Sequence, residues 1–246
     1  MKTNQLLLPG LLAICISTGS ASAAVVVNSH FATGTNASNA TVLTFDSTTL
    51  GGFTTTSADK LLVAFAGRRD NNDFTITYDG IGLTAIQSVA GTQNNGAASI
   101  FYLDNPSTDS SASLVITANS SDFIQYRLDA IKISGLAAGG ASVSVTDSDS
   151  STVVSQSLLG TAGGFMLGSI GSNGNPSISA SPTPTYLSDD TRSQNAYWLD
   201  TDLATTYSYD TTNTNAVGVL ASFAIPEPST ALLGGLGFLA LLRRRR

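Results

Sequence analysis

Between residues 41 and 224 the sequence repeats one pattern: five to nine residues rich in β-branched, aromatic and other apolar side chains, then a break of Gly, Asn, Asp, Ser or Pro. Runs this short, with alternating or continuous apolar character, suit strands and are too brief for stable helices. The pattern predicts strands at Thr41–Phe45, Leu61–Ala66, Phe74–Tyr78, Leu83–Val89, Ala97–Leu103, Ser113–Ala118, Tyr126–Ser134, Ser142–Thr146, Thr152–Leu158, Phe165–Ile170 and Gly218–Ala224. Asp79-Gly80 and Asn95-Gly96 can supply the positive φ of tight hairpin turns, and Asn105-Pro106-Ser107 reads as a turn. From Gly171 to Pro184, two glycines and three prolines predict a long loop or a poorly paired edge. No helical periodicity and no internal repeat is evident between the ends. The expected class is all-β: an antiparallel β-sandwich, jelly-roll or immunoglobulin-like, as one large or two small units over residues 24–225.

Composition narrows the function. Only 11% of residues are charged, against roughly 25% in average globular proteins. Residues 24–225 contain sixteen Asp, no Glu and six Lys or Arg, hence a net charge of −10. Such a body repels nucleic acid and anionic lipid. The one basic spot, Arg68-Arg69, adjoins Asp70 and Asp73, which fits solvated pairing. Cys15 is the single cysteine and precedes residue 24. The body is therefore expected to hold together by burial, with no disulfide, thiolate nucleophile or thiolate-bound metal.

The two ends differ from the body. Lys2, the apolar stretch Leu6–Ile16 and the small residues Ala21-Ser22-Ala23 have the order of a secretory signal peptide. Cleavage is expected between Ala23 and Ala24, which makes residues 1–23 the signal peptide. At the other end, Pro226-Glu227-Pro228 is followed by an apolar run, Ala231–Leu242, and by Arg243, Arg244, Arg245 and Arg246. The two prolines keep Glu227, the only glutamate in the chain, extended and accessible. The run has twelve residues, so as a helix it would span about 18 Å at ~1.5 Å per residue. A bilayer core is about 30 Å thick, so this is a strained anchor. Terminal arginines are expected to stay cytoplasmic, leaving the body on the far side of the membrane.

Taken together, residues 226–246 resemble the PEP-CTERM sorting signal of Gram-negative bacteria: the Pro226-Glu227-Pro228 motif, a short transmembrane helix and an arginine-rich end, in that order. The resemblance implies recognition by exosortase, a membrane-embedded cysteine transpeptidase, and cleavage near the motif. Release or attachment at the outer surface would follow, in a setting of exopolysaccharide and biofilm. Residues 60–136 also resemble a β-sandwich module of bacterial exported and phage-associated proteins, through Lys60-Leu61-Leu62-Val63, Thr77–Thr84 and Ile100–Pro106. That likeness implies a fold and no activity.

Little in the body suggests chemistry. No Gly-x-Ser-x-Gly elbow is present, and the single histidine, His30, reads as a surface or edge-strand residue. Tyr197, Trp198, Asp200 and Asp202 lie close in sequence and form the candidate carbohydrate contact, an aromatic platform beside carboxylates. The plainer alternative is an Asp-rich turn with Trp198 in the core. Oxygen-rich stretches hold Asp70 and Asp73, and Asp147 and Asp149. These would be the ligands of a structural calcium, although neither stretch has EF-hand spacing and Asx residues also populate ordinary turns.

The sequence therefore predicts a non-enzymatic exported protein with no cofactor and no resident metal. Its processing residues are Ala21, Ala23, Ala24, Pro226, Glu227, Pro228 and Arg243 to Arg246. Its expected partners are signal peptidase, exosortase and exopolysaccharide, with only transient membrane contact through the tail. The expected role is structural or adhesive, at the cell surface or in the extracellular matrix. The alternative is a carbohydrate-binding module; an extracellular hydrolase ranks last.

Overall fold

The computed structural model describes residues 24–33, 36–37, 41–68, 74–90, 96–118, 125–141, 143–147, 154–172, 178–188, 193–202, 205–211 and 216–226. The chain divides into a compact unit, Ser22–Glu227, and a second composed of Met1–Ala21 and Pro228–Arg246. The second unit, with the expected signal peptide and C-terminal helix, lies outside the described residues. Among the described residues no helix is long and apolar enough to cross a membrane.

The described residues are mostly strand, and every strand pairing is antiparallel. In the first sheet the order is β3 (Val42–Phe45), β9 (Leu114–Ala118), β5 (Phe74–Tyr78) and β6 (Ile81–Gly82). The second runs β1 (Val26–Ala32), β10 (Gln125–Ser134), β4 (Lys60–Arg68), β8 (Ala97–Asp104) and β7 (Thr84–Ala90), and β2 (Asn36–Ala37) also pairs with β10. The third runs β11 (Val143–Asp147), β18 (Ala216–Phe223), β13 (Gly164–Ser172), β16 (Ser193–Thr201) and β15 (Tyr186–Leu187). The fourth is β12 (Ser155–Leu159), β17 (Thr206–Thr211) and β14 (Ile178–Ser181).

Side-chain alternation shows how the sheets stack. Leu61, Val63 and Phe65 of β4 share one core cluster with Phe45, Ile76, Leu114 and Ile116 of the first sheet. Leu62 and Ala64, on the other face of β4, share a second cluster with Phe165, Leu167, Val219 and Phe223 of the third. Met166, Ile170 and Leu220 then turn to a third cluster with Leu158, Tyr207 and Tyr209 of the fourth. The second and third sheets are thus covered on both faces. This explains their sequences: β13 and β18 are buried at every position, whereas outer strands such as β5, β12 and β17 alternate. Small residues let the inner sheets approach closely. A Cβ at Gly171 would collide with the carbonyl oxygen of Ala97.

Several elements depart from expectation. Of the two readings of Gly171–Pro184, the edge holds and the single loop does not: β13 continues to Ser172, and Ile178–Ser181 pairs with β17 as an edge strand. The edge position accounts for its polar composition. β1, β16 and β17 were not anticipated. A short helix, α1 (Ser47–Leu50), also occurs where no helix was expected, and a 3-10 turn follows at Gly51–Phe53. Asp46 caps α1 by accepting the Thr49 N–H at 2.9 Å. That bond and one from the Thr49 hydroxyl hold the Asp46 carboxyl below its ordinary range.

Candidate functional site

Both ends of the compact unit leave it beside one short segment, residues 135–137. Ala24 is exposed, but the next residue, Val25, is buried in the cluster shared by the second and third sheets. A Cβ on Gly135 would lie 2.5 Å from the Ala24 carbonyl oxygen, and Gly135 has φ +88°. Glycine meets both demands. Two residues on, the Ala137 N–H donates to the Ala224 carbonyl at 2.8 Å. Phe223 is buried, Ile225 is half-buried on the same cluster, and Pro226 is exposed.

The segment is pinned from both sides. The Gly135 N–H donates to Asp59 Oδ2 at 2.9 Å, and the Gly139 N–H donates to Asp104 Oδ2 at 2.8 Å. Buried Lys60 donates from Nζ to the Asp104 carboxylate and to the Gly139 carbonyl, 4.9 Å from the centre of the Tyr102 ring. Of the expected processing residues, Ala24 and Pro226 are thus placed at surface exits. Ala21, Ala23, Glu227, Pro228 and Arg243 to Arg246 lie outside the described residues.

The candidate sugar contact is not assembled. Trp198 is only 2% exposed, so its ring offers no face to a ligand. Its Nε1–H donates to the Pro182 carbonyl at 2.7 Å, and its ring meets Tyr207 and Tyr209 edge-on. Tyr197 belongs to the opposite face of β16, stacked on Tyr186 at 5.4 Å. Asp200 and Asp202 are exposed at the strand end, and Asp200 has φ +50°. The period-2 alternation of β16 separates the two aromatics. Of the calcium candidates, Asp147 ends β11, whereas Asp70, Asp73 and Asp149 lie outside the described residues. No group of three metal-ligating side chains occurs among the described residues.

The structure reveals a polar cluster that the sequence did not suggest. Asp129 of β10 is 1% exposed. It accepts from Arg127 Nε at 3.1 Å and from Asn195 Nδ2 at 2.6 Å, and lies 2.8 Å from His30 Nε2. Arg127 also donates to the Tyr186 hydroxyl at 2.7 Å, and the His30 ring sits edge-on to Tyr186 at 4.6 Å. Burial opposes the Arg127 charge, but Asp129 and Tyr186 more than restore it, so its pKa lies above the ordinary value. Burial, reinforced by the Asp129 charge, raises the Tyr186 and Tyr197 hydroxyls. His30 does lie on an edge strand, as expected, but it is tied down there. Among the described residues no hydroxyl is bonded to it, and the cluster joins the second sheet to the third. The available clue was the i, i+2 pair Arg127 and Asp129 within a strand that also carries the apolar residues Leu128, Ala130, Ile131 and Ile133.

Another buried charge sits on the opposite face of β10. Lys132, fully buried, donates from Nζ to the carbonyls of Thr54 at 2.9 Å, Thr56 at 3.0 Å and Ser107 at 3.0 Å. The rings of Phe53 and Tyr78 lie 5.3 and 5.0 Å from the ammonium. Burial pushes Lys132 down to about 8 and Tyr78 up to about 12.

The β-rich body ends in β18, and the chain leaves it through an exposed Pro226. Residues 224–246 match the PEP-CTERM protein-sorting motif. The motif implies export and surface or extracellular targeting, with exosortase as the processing partner. No curated protein matches the chain.

Proposed function

We propose that this chain is a non-enzymatic structural or adhesive protein of the bacterial cell surface or extracellular matrix, delivered by signal peptidase and exosortase and working among exopolysaccharide. Its stacked sheets would serve as a rigid sandwich body, of jelly-roll or immunoglobulin-like type, without cofactor or resident metal. One observation carries the reading: the sorting motif begins at the end of the last packed strand, where Pro226 is exposed. A surface unit built this way presents its bulk outward once the tail is removed.

Deletion of Pro226–Arg246, with fractionation of cells, envelope and medium, tests delivery. Full-length chain is expected at the surface or in the medium, with an intact mass lacking Arg243 to Arg246, while the deletion stays in the periplasm. Mature protein that retains the four arginines overturns the reading. Loss of biofilm cohesion in a strain without the gene tests the matrix role.

A further inference from the structure

We propose that the surface around the chain exit is the contact face for the membrane-embedded enzyme that processes the tail. The inference rests on the function proposed above and begins from tether length. Phe223 is buried and Ile225 is half-buried. The Ile225 Cδ1 would touch a Cβ at Gly163 at 3.6 Å, and the Ala224 carbonyl is held by Ala137. Glu227 follows two residues later, a reach of about 7 Å even when fully extended. An enzyme gripping an extended peptide engages several residues around the bond it cleaves. Its body must therefore overlap the pole of the folded unit from which the motif emerges.

That pole is suited to such contact. Two loops flank the exit, residues 135–141 and 160–164, and neither contains an ionisable residue. The second is fixed beside β18 by a 2.9 Å hydrogen bond between the Thr161 and Ser222 hydroxyls. Ala138 and Ala162 are exposed. The carboxylates that adjoin these loops are Asp59, bonded to the Gly135 N–H, Asp104, paired with Lys60, and Asp202, exposed beside Gly160. On a body of net charge −10, a collar of loops with no ionisable side chain of their own, with Asp59 and Asp202 only at their margin, repels an anionic membrane surface less and costs less to desolvate than charged loops would. Only residues 226–230 separate the body from the apolar run, a reach of about 17 Å at most, so the tail has little slack to hold the body away.

The test uses the full chain in a host that processes it, followed by pulse-chase and intact mass. Ala138→Asp with Ala162→Asp is expected to slow tail removal at least fivefold. Inserting six Gly/Ser residues between Ile225 and Pro226 should bring that variant back to within twofold of wild type, because the collar no longer needs to approach. Thr75→Asp, on the exposed face of β5, should be processed normally. Melting temperatures within about 3 °C of wild type establish that the variants fold. Processing of the collar variant at the wild-type rate overturns the proposal, as does slow processing that the spacer leaves unchanged. Flotation of the processed wild-type protein with phosphatidylglycerol vesicles overturns it too, by making bare lipid the occupant. A wild-type chain that is never trimmed is a different failure: it sinks the function reading itself, and the collar with it.

Discussion

Lys132 shows how one residue can hold two loops against a sheet. The ammonium collects three carbonyls from residues 54, 56 and 107, segments far apart in sequence. Lys132→Met preserves the bulk and orphans those acceptors, at an expected cost of about 1–3 kcal/mol near neutral pH, read from the urea midpoint. The pH profile tests the charge itself. The folded-state pKa of Lys132 is about 8 and its ordinary value 10.5, so between these the unfolded chain binds more protons and stability rises with pH. At roughly 1.4 kcal/mol per unit, the gain from pH 8 to 10 is about 2 kcal/mol. Tyr78 acts in the opposite direction: its pKa goes from 10.0 to about 12, so above pH 10 the unfolded chain ionises first and stability falls. Maximum stability is expected near pH 10, and Lys132→Met should remove the rise but keep the fall. A flat wild-type profile between pH 8 and 10 contradicts this account. Nothing local marks Lys132 as buried. Two of its carbonyl partners, Thr54 and Thr56, follow a helix and 3-10 turn that the sequence pattern did not predict, and nothing in the expected turn at Ser107 points to the third contact, so it counted simply as one of six basic residues.

At the scale of the strand, β10 does two jobs with its two faces. Leu128, Ala130 and Lys132 face the first sheet; Arg127, Asp129, Ile131 and Ile133 face the third. Asp129→Ala leaves Arg127 and Asn195 with their shared acceptor gone, and is expected to cost about 3–5 kcal/mol. Asp129→Asn retains an acceptor oxygen and should cost less than half as much. Urea unfolding of the two variants checks the order, and equal losses would show that packing, not charge, matters at this position. The same alternation governs what was legible. Outer strands such as Phe74–Tyr78 were readable because one face is wet. Inner strands such as Ala97–Asp104 were readable as continuous apolar runs. β16 was not, because Ser193, Gln194 and Asn195 are polar yet buried, and their burial depends on partners in other layers. Asn195, bonded to Asp129 across 66 residues of sequence, is the clearest case. The candidate contact of Tyr197 with Trp198 failed for a related reason: neighbours in sequence are on opposite sides of a strand.

For the whole molecule, the decisive fact is that entry and exit share one pole, joined by residues 135–137. Nothing in the sequence pairs Ala24 with Gly135, a glycine that looks like any other turn residue. Gly135→Val tests that arrangement. The variant must place a β-branched side chain at φ +88° and against the Ala24 carbonyl, two independent penalties, of about 1–3 kcal/mol for the backbone alone. The clash is relieved most readily if Ala24 and Val25 lift away, since both precede β1 and its pairing with β10. Limited proteolysis of the mature protein should therefore trim the N-terminus of the variant back toward Val26 while the body stays intact, with a drop in melting temperature of several degrees. Gly135→Ala should show the same change to a smaller degree. A variant that loses stability globally, with no early N-terminal cut, would mean that the pole is held by β1 pairing and not by the 135–137 clamp.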